Sequence, residues 1–116
     1  MILSWSRGVS SMKQQPMTEE IYYILLALCV PLDGHEVMDK VCELSNGKVE
    51  IGAGTTYGII RKLHEVDRYI YITESDRRKM YKITNKGKEA LEQVFNRLSD
   101  IVKVSNERLK KGKLDE

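Results

Sequence analysis

Five cations in two tight groups, Arg61-Lys62 and Arg77-Arg78-Lys79, are the residues of this chain whose type and spacing suggest a task, and the task is holding anions. Adjacent guanidinium and ammonium groups offer several N–H donors and a concentrated positive charge to phosphate oxygens. The surrounding charge is sorted in the same sense. Residues 61–88 carry nine bases against four acids, residues 18–50 carry seven acids against two bases, and residues 89–116 balance at six of each. The formal net charge of +2 therefore hides a basic middle segment, as a localised anion-binding face requires. The plain alternative is a solvated basic surface.

No catalytic constellation accompanies these cations. His35 and His64 have no spacing that would pair them on a metal, and no Ser/His/Asp or Cys/His arrangement suggests nucleophilic chemistry. Gly52-Ala53-Gly54 lacks the downstream Lys-Ser/Thr of a phosphate-cradling loop; its glycines are expected to let the backbone turn tightly into the following helix. Cys29 and Cys42 lie thirteen residues apart in apolar helical patterns, without a CxxC motif, and read as reduced core residues. Neither an enzyme nor a metal or other cofactor is expected.

Folded elements must set these cations in place. Thr18, Glu19 and Glu20 followed by Ile21, Ile24, Leu25 and Leu28 predict a capped helix running to about residue 30. A turn over 31–34 leads to a second helix, patterned by Val37, Met38, Val41, Cys42 and Leu44, which stops near Ser45-Asn46-Gly47. Residues 48–51 alternate like a very short strand. A third helix follows, with Thr56, Ile59, Ile60, Leu63 and Val66 as its apolar back and Thr55, Gly58, Arg61, Lys62 and Glu65 as its front.

The β-rich runs 69–73 and 79–84 predict a hairpin whose charged tip spans 74–78. Thr84 or Asn85 then caps a last helix, in which Ala90, Leu91, Val94, Phe95, Leu98, Ile101, Val102, Ser105 and Leu109 keep one stripe for some 25 residues. That helix would be about 38 Å long, against a preceding domain about 30 Å across, so the distal stripe needs a partner. Phe95, Leu98, Ile101, Val102 and Leu109 could serve as intramolecular core, ligand wall or dimer seam, and the length argument favours the seam for the distal half.

With 116 residues, 41% hydrophobic and 31% charged, the chain has the material for one domain with one modest core. Its longest apolar run, residues 24–32, is less than half a bilayer span, and no signal-like segment precedes it. The expectation is a cytoplasmic protein with no membrane partner. The fold expected is α+β and mainly helical: three helices, a hairpin and a long helix, which is the order of a winged helix-turn-helix DNA-binding domain with a long C-terminal dimerisation helix. A helix with a basic front can enter a major groove while a basic hairpin tip reaches neighbouring phosphates.

From about residue 17 to 109 the sequence resembles the PadR family of bacterial transcription regulators. Four blocks in order carry the resemblance. Ile24-Leu25-Leu26-Ala27-Leu28 with Pro31-Leu32-Asp33-Gly34-His35-Glu36-Val37 is similar to the family's first helix and Pro-Leu-x-Gly-Tyr-Glu turn. Gly54-Thr55-Thr56-Tyr57-Gly58 with Leu63 is similar to its recognition helix, and Arg77-Arg78-Lys79-Met80-Tyr81-Lys82-Ile83-Thr84 with Gly87 to its wing. Three departures stand out: His35 in place of Tyr, Thr56 in place of Leu, and Asp67 where a Gly commonly ends the recognition helix. The last leaves the left-handed residue of that turn unmarked, and with it the side of 69–73 that faces inward.

The resemblance implies a winged-helix domain over 12–84 and a dimerisation helix with a short tail over 85–116. Residues 1–11, with Trp5, match nothing in the family and are expected to be a disordered or non-native leader. A single C-terminal helix is similar to the short subfamily, dimeric repressors released from double-stranded, palindromic operator DNA by a small molecule. Thr55, Tyr57, Arg61, Lys62, Arg77, Arg78 and Lys79 are the expected DNA-binding residues, with Lys13 and Lys82 weaker candidates. Tyr57 keeps a second reading as a packing aromatic. The resemblance places the effector between the C-terminal helices and the winged-helix domains, where Tyr22 or Tyr23 and Phe95 would face a small aromatic ligand. The rival function is a winged-helix protein-interaction module that does not bind DNA.

Overall fold

The computed structural model of the chain describes residues 17–114, and side chains to 112; the expected leader 1–11, Trp5 and Lys13 lie outside the described residues. The order is α1 (Glu19–Ala27), α2 (Gly34–Leu44), α3 (Ala53–Glu65), β1 (Ile70–Ser75), β2 (Arg78–Ile83) and α4 (Asn85–Leu114). Fold class and winged-helix order are as the sequence predicts. No helix among the described residues is long and apolar enough to cross a membrane.

Local chemistry accounts for most element ends. The Thr18 hydroxyl accepts from the Ile21 N–H at 3.2 Å and starts α1. Asp33 and Glu36 form a reciprocal capping box at the start of α2, the Asp33 side chain accepting from the Glu36 N–H at 2.8 Å and the Glu36 side chain from the Asp33 N–H at 2.9 Å. Asn46 and Gly47 end α2 in the left-handed region. At the start of α4 the Thr84 hydroxyl accepts from the Gly87 N–H and donates to the Arg68 carbonyl, tying the last helix to the end of the third.

The core is one cluster under the three short helices and the inner face of the hairpin: Ile24, Leu25, Leu28, Val37, Val41, Ile60, Leu63, Ile70, Tyr81 and Ile83, with Leu91 joining from α4. In the hairpin Ile70 pairs with Ile83 and Ile72 with Tyr81, so these residues share the inward face and Tyr71 is exposed. The turn that the sequence leaves unmarked is made by Arg68, at φ 61°, while the Tyr69 N–H donates to the Leu63 carbonyl at 2.8 Å. Asp67 is buried just before it.

Several local expectations are corrected. Residues 48–51 form no strand: Val49 is buried as the alternation predicts, but its N–H donates to the Ser45 hydroxyl at 2.9 Å, not to a partner strand. The strand-like partner of β2 is instead Leu32, bridged to Tyr81. Helix α1 stops at Ala27, so Cys29 lies beyond it and is exposed, and Cys42 is half-buried. Val66 caps the end of α3 and is 52% exposed, outside the apolar back. The hairpin tip is a two-residue turn, Asp76 and Arg77, both at positive φ as a tight primed turn requires. Gly52 and Gly54 do not take the left-handed region; Gly52 is extended.

Helix α4 has 30 residues, about 45 Å at the helical rise, and only its first turns pack on the domain. Gly87 is buried there because a Cβ would overlap the Tyr69 carbonyl. Beyond Val94 the apolar positions Phe95, Leu98, Ile101, Val102 and Leu109 are all exposed. Leu91, Phe95, Leu98, Val102, Ser105 and Leu109 follow alternating spacings of four and three, the repeat of a two-helix seam.

Thr56 is fully buried on α3, and its hydroxyl has no partner among the described residues. A buried hydroxyl without a hydrogen bond is costly, so Thr56→Val is expected to raise stability by about 1 kcal/mol. Urea denaturation checks this, and a lowered midpoint would show that the hydroxyl is bonded in solution.

Candidate nucleic-acid interface

Helix α3 buries Thr56, Ile60 and Leu63 and turns the opposite side outward. That outer line is Gly54, Gly58, Arg61 and Glu65, at spacings that keep one helix face, with Lys62 and Thr55 along one border and Tyr57 along the other. Among the described residues, nothing stands where a Cβ at Gly54 or Gly58 would lie. Each glycine within a helix costs about 0.5–1 kcal/mol relative to alanine, and here no internal contact explains it. The result is a helix face that a flat or grooved partner can approach to backbone distance, with cations beside it.

The wing supplies the second group. Arg77 stands on the turn and Lys79 on β2, its register partner being Glu74. Thr55, Arg61, Lys62, Arg77 and Lys79 are all exposed, and no ion pair holds the four cations among the described residues. Arg78 differs: its Nη1 donates to Asp33 Oδ2 at 2.8 Å. Lys82 is half-buried farther down the strand.

Tyr57 is both exposed and packed. Its ring is 42% exposed at the edge of the basic face, yet its inner side lies on Gly34, where an added Cβ would overlap it. Asp33, Gly34, His35, Tyr57, Arg78, Lys79 and Tyr81 surround an open depression of about 430 Å³ between α2, α3 and the wing. Burial, then neighbouring Tyr57 and Asp33, push the Tyr81 phenol above the usual tyrosine range. Sequence reasoning assigned Asp33 and Gly34 only to a turn. The Asp-x-x-Glu spacing of a capping box was the available signal for the first, whereas nothing local marks the Tyr57 contact at the second.

The residues expected at an effector site lie on two helices that pack against each other, α1 and α4. Tyr22 and Tyr23 are half-buried on α1, their rings edge-to-face at 6.5 Å, and Phe95 is 55% exposed on α4. Neither the depression beside Tyr57 nor a second one of about 490 Å³, beside His64, Arg68 and Tyr71, is lined by them. Among the described residues no group of three His, Cys, Asp or Glu could hold a metal ion.

No curated protein matches the chain in sequence. Among solved structures, it is similar to a PadR family transcriptional regulator from Eggerthella lenta, with TM-score 0.59 and 20% identity over 92% of this chain and 96% of that one. It is also similar to Bacillus subtilis PadR in complex with operator DNA, with TM-score 0.55 and 24% identity over 69% of this chain and 48% of that one. The Bordetella bronchiseptica BpsR structure, which concerns regulation of DNA binding by 6-hydroxynicotinic acid, has TM-score 0.56 and 16% identity over 87% of this chain and 72% of that one. These likenesses establish the fold. The family described as "Transcriptional regulator PadR-like family" matches residues 23–93, from α1 through the wing into the first turns of α4, and the chain belongs to that family.

Proposed function

We propose that this protein is a cytoplasmic bacterial repressor that binds a palindromic, double-stranded DNA operator as a homodimer and is released by a small-molecule effector. The observation that carries the DNA reading is the outer face of α3, where Gly54 and Gly58 leave the backbone bare between Thr55, Arg61 and Lys62, with the Arg77 and Lys79 cations on the neighbouring wing. A surface without side chains but with flanking cations suits close approach to a groove, with the wing on the adjoining phosphates. The family and the operator-bound relative support the same reading.

The dimer rests on α4. An exposed stripe of Phe95, Leu98, Val102 and Leu109 at seam spacing is more apolar surface than a helix holds in water alone, and a second copy of it is a matching partner. Two-fold symmetry then presents two α3 helices to half-sites about 34 Å apart, one turn of DNA. An effector lodged between α1 and α4, against Tyr22, Tyr23 and Phe95, would change the angle of the two helices and hence that spacing. BpsR supplies a precedent for ligand control within this fold.

Three outcomes are expected. Binding to duplex DNA weakens steeply between about 50 and 200 mM salt, as release of counterions demands. Gly58→Ala raises the melting temperature, since it adds helix propensity in open space, while it lowers DNA affinity by placing a methyl group on the presented face. Binding that is insensitive to salt, or a Gly58→Ala variant with unaltered affinity, contradicts the assignment of this face.

Truncation after Phe95 yields monomer or aggregate in sedimentation, whereas the full chain at micromolar concentration is dimeric. A stable full-length monomer removes the seam. In calorimetry, a panel of planar aromatic compounds contains a binder that releases DNA and whose affinity falls with Phe95→Ala. Binding without release, or binding indifferent to Phe95→Ala, overturns the effector site.

A further inference from the structure

Arg78 lies in the most basic segment of the chain, but its guanidinium is already engaged. It donates to Asp33 Oδ2 at 2.8 Å, and the other oxygen of the same carboxylate caps α2 through the Glu36 N–H. The neighbouring residue, Leu32, exchanges two backbone hydrogen bonds with Tyr81, at 3.1 and 2.8 Å. Strand β2 is thus fastened to the helices at three points: at Ile83, whose N–H donates to the Leu28 carbonyl at 2.9 Å, at Tyr81, and at Arg78, about 10 Å beyond Tyr81 along the strand. The backbone bonds at Ile83 and Tyr81 seat the base of the strand, and the Arg78 pair adds a fastening near its tip. Gly34, next in the chain, carries the Tyr57 ring of α3, so the segment that holds the wing also holds the recognition helix.

We infer that Arg78 is a positioning residue and not a phosphate ligand: its ion pair with Asp33 sets the angle of the wing relative to α3, leaving Arg77 and Lys79 as the cations that face outward. This rests on the DNA-binding reading above, and it assigns the three consecutive wing cations two different tasks. The Asp33 carboxylate is mostly covered while Arg78 is half-exposed, so the pair lies at the rim, where it holds geometry better than it adds stability.

The test uses the full chain with Asp33→Asn, Arg78→Gln and the double variant; Asn caps a helix about as well as Asp, so α2 keeps its start. Fluorescence anisotropy is measured on a duplex recovered by the wild-type protein from a randomised pool, across a salt series. For a positioning pair, each single variant weakens binding by up to about fivefold, the upper end of the range for an exposed ion pair. The double variant is no weaker than either single one, and the slope of affinity against salt stays at the wild-type value because no phosphate contact has been lost.

If Asp33→Asn leaves binding unchanged or tightens it, or if Arg78→Gln lowers the salt slope by about one, Arg78 is a phosphate ligand and the inference is overturned. Amide exchange without DNA supplies the independent arm. Both single variants should speed exchange at the Leu32 and Tyr81 amides, and the double variant should be no faster; unaltered exchange in either single variant refutes the pairing. Should the wild-type chain retain no duplex at all, the DNA reading fails, while the exchange arm still decides whether the pair holds the wing.

Discussion

Gly34 has no side chain because the ring of Tyr57 occupies the place where one would stand, and the arrangement of the proposed DNA-facing surface depends on that contact and its neighbours. Leu32 forms the backbone bridge to the wing, Asp33 caps α2 and takes Arg78, and Gly34 seats the ring from α3. Three consecutive residues therefore join the turn between the first two helices, α3 and the hairpin. A two-stranded hairpin alone is marginal in water, and here a third strand-like residue, an ion pair and the inward residues Ile70, Tyr81 and Ile83 hold it to the helices.

The second constraint is a mismatch of length. A helix of 30 residues cannot be covered by a domain whose core reaches only Leu91, and the uncovered apolar positions keep the same side of the helix that packs on the domain at its start. The outer face of α1 and the turn after it add to this unpaired surface, with Leu26 and Val30 exposed and Tyr22 and Tyr23 half-buried. Apolar surface in this amount is a cost to an isolated chain and a gain to an assembly. The same two helices that would meet a partner are joined through the core to α3, which is what would let a ligand at the seam act on the surface facing DNA.

Charge and shape are divided along the chain in a consistent way. The acidic residues gather on the first two helices, where Glu19, Glu20 and Glu36 stand at helix N-termini and favour the helix dipole. On α3 and the wing, Arg61, Lys62, Arg77 and Lys79 are exposed and in no ion pair among the described residues, whereas Arg78 is paired with Asp33. Glycines on the outer side of α3 and a buried hydroxyl at Thr56 both lower stability there. Stability is given up on the element proposed to read DNA, as is common where a surface serves a partner in place of its own fold.

The sequence by itself determined the order of elements, the cap at Thr18, the basic segment and the apolar stripe of α4, because each is a local pattern of period, cap chemistry or charge. The tertiary structure alone decided which of those patterns act together. That Arg68 makes the left-handed turn, that Leu32 and not residues 48–51 pairs with β2, and that Arg78 is tied to Asp33 while Arg77 is not all depend on groups brought together from distant positions. Cys29 and Val66 carried the right residue type for the core at helical spacing, yet both are exposed, since each lies just past the end of its helix where the backbone has already changed direction. Periodicity gives the face of a helix while the helix lasts; where it ends, and what stands beside it, is fixed by contacts from elsewhere in the chain.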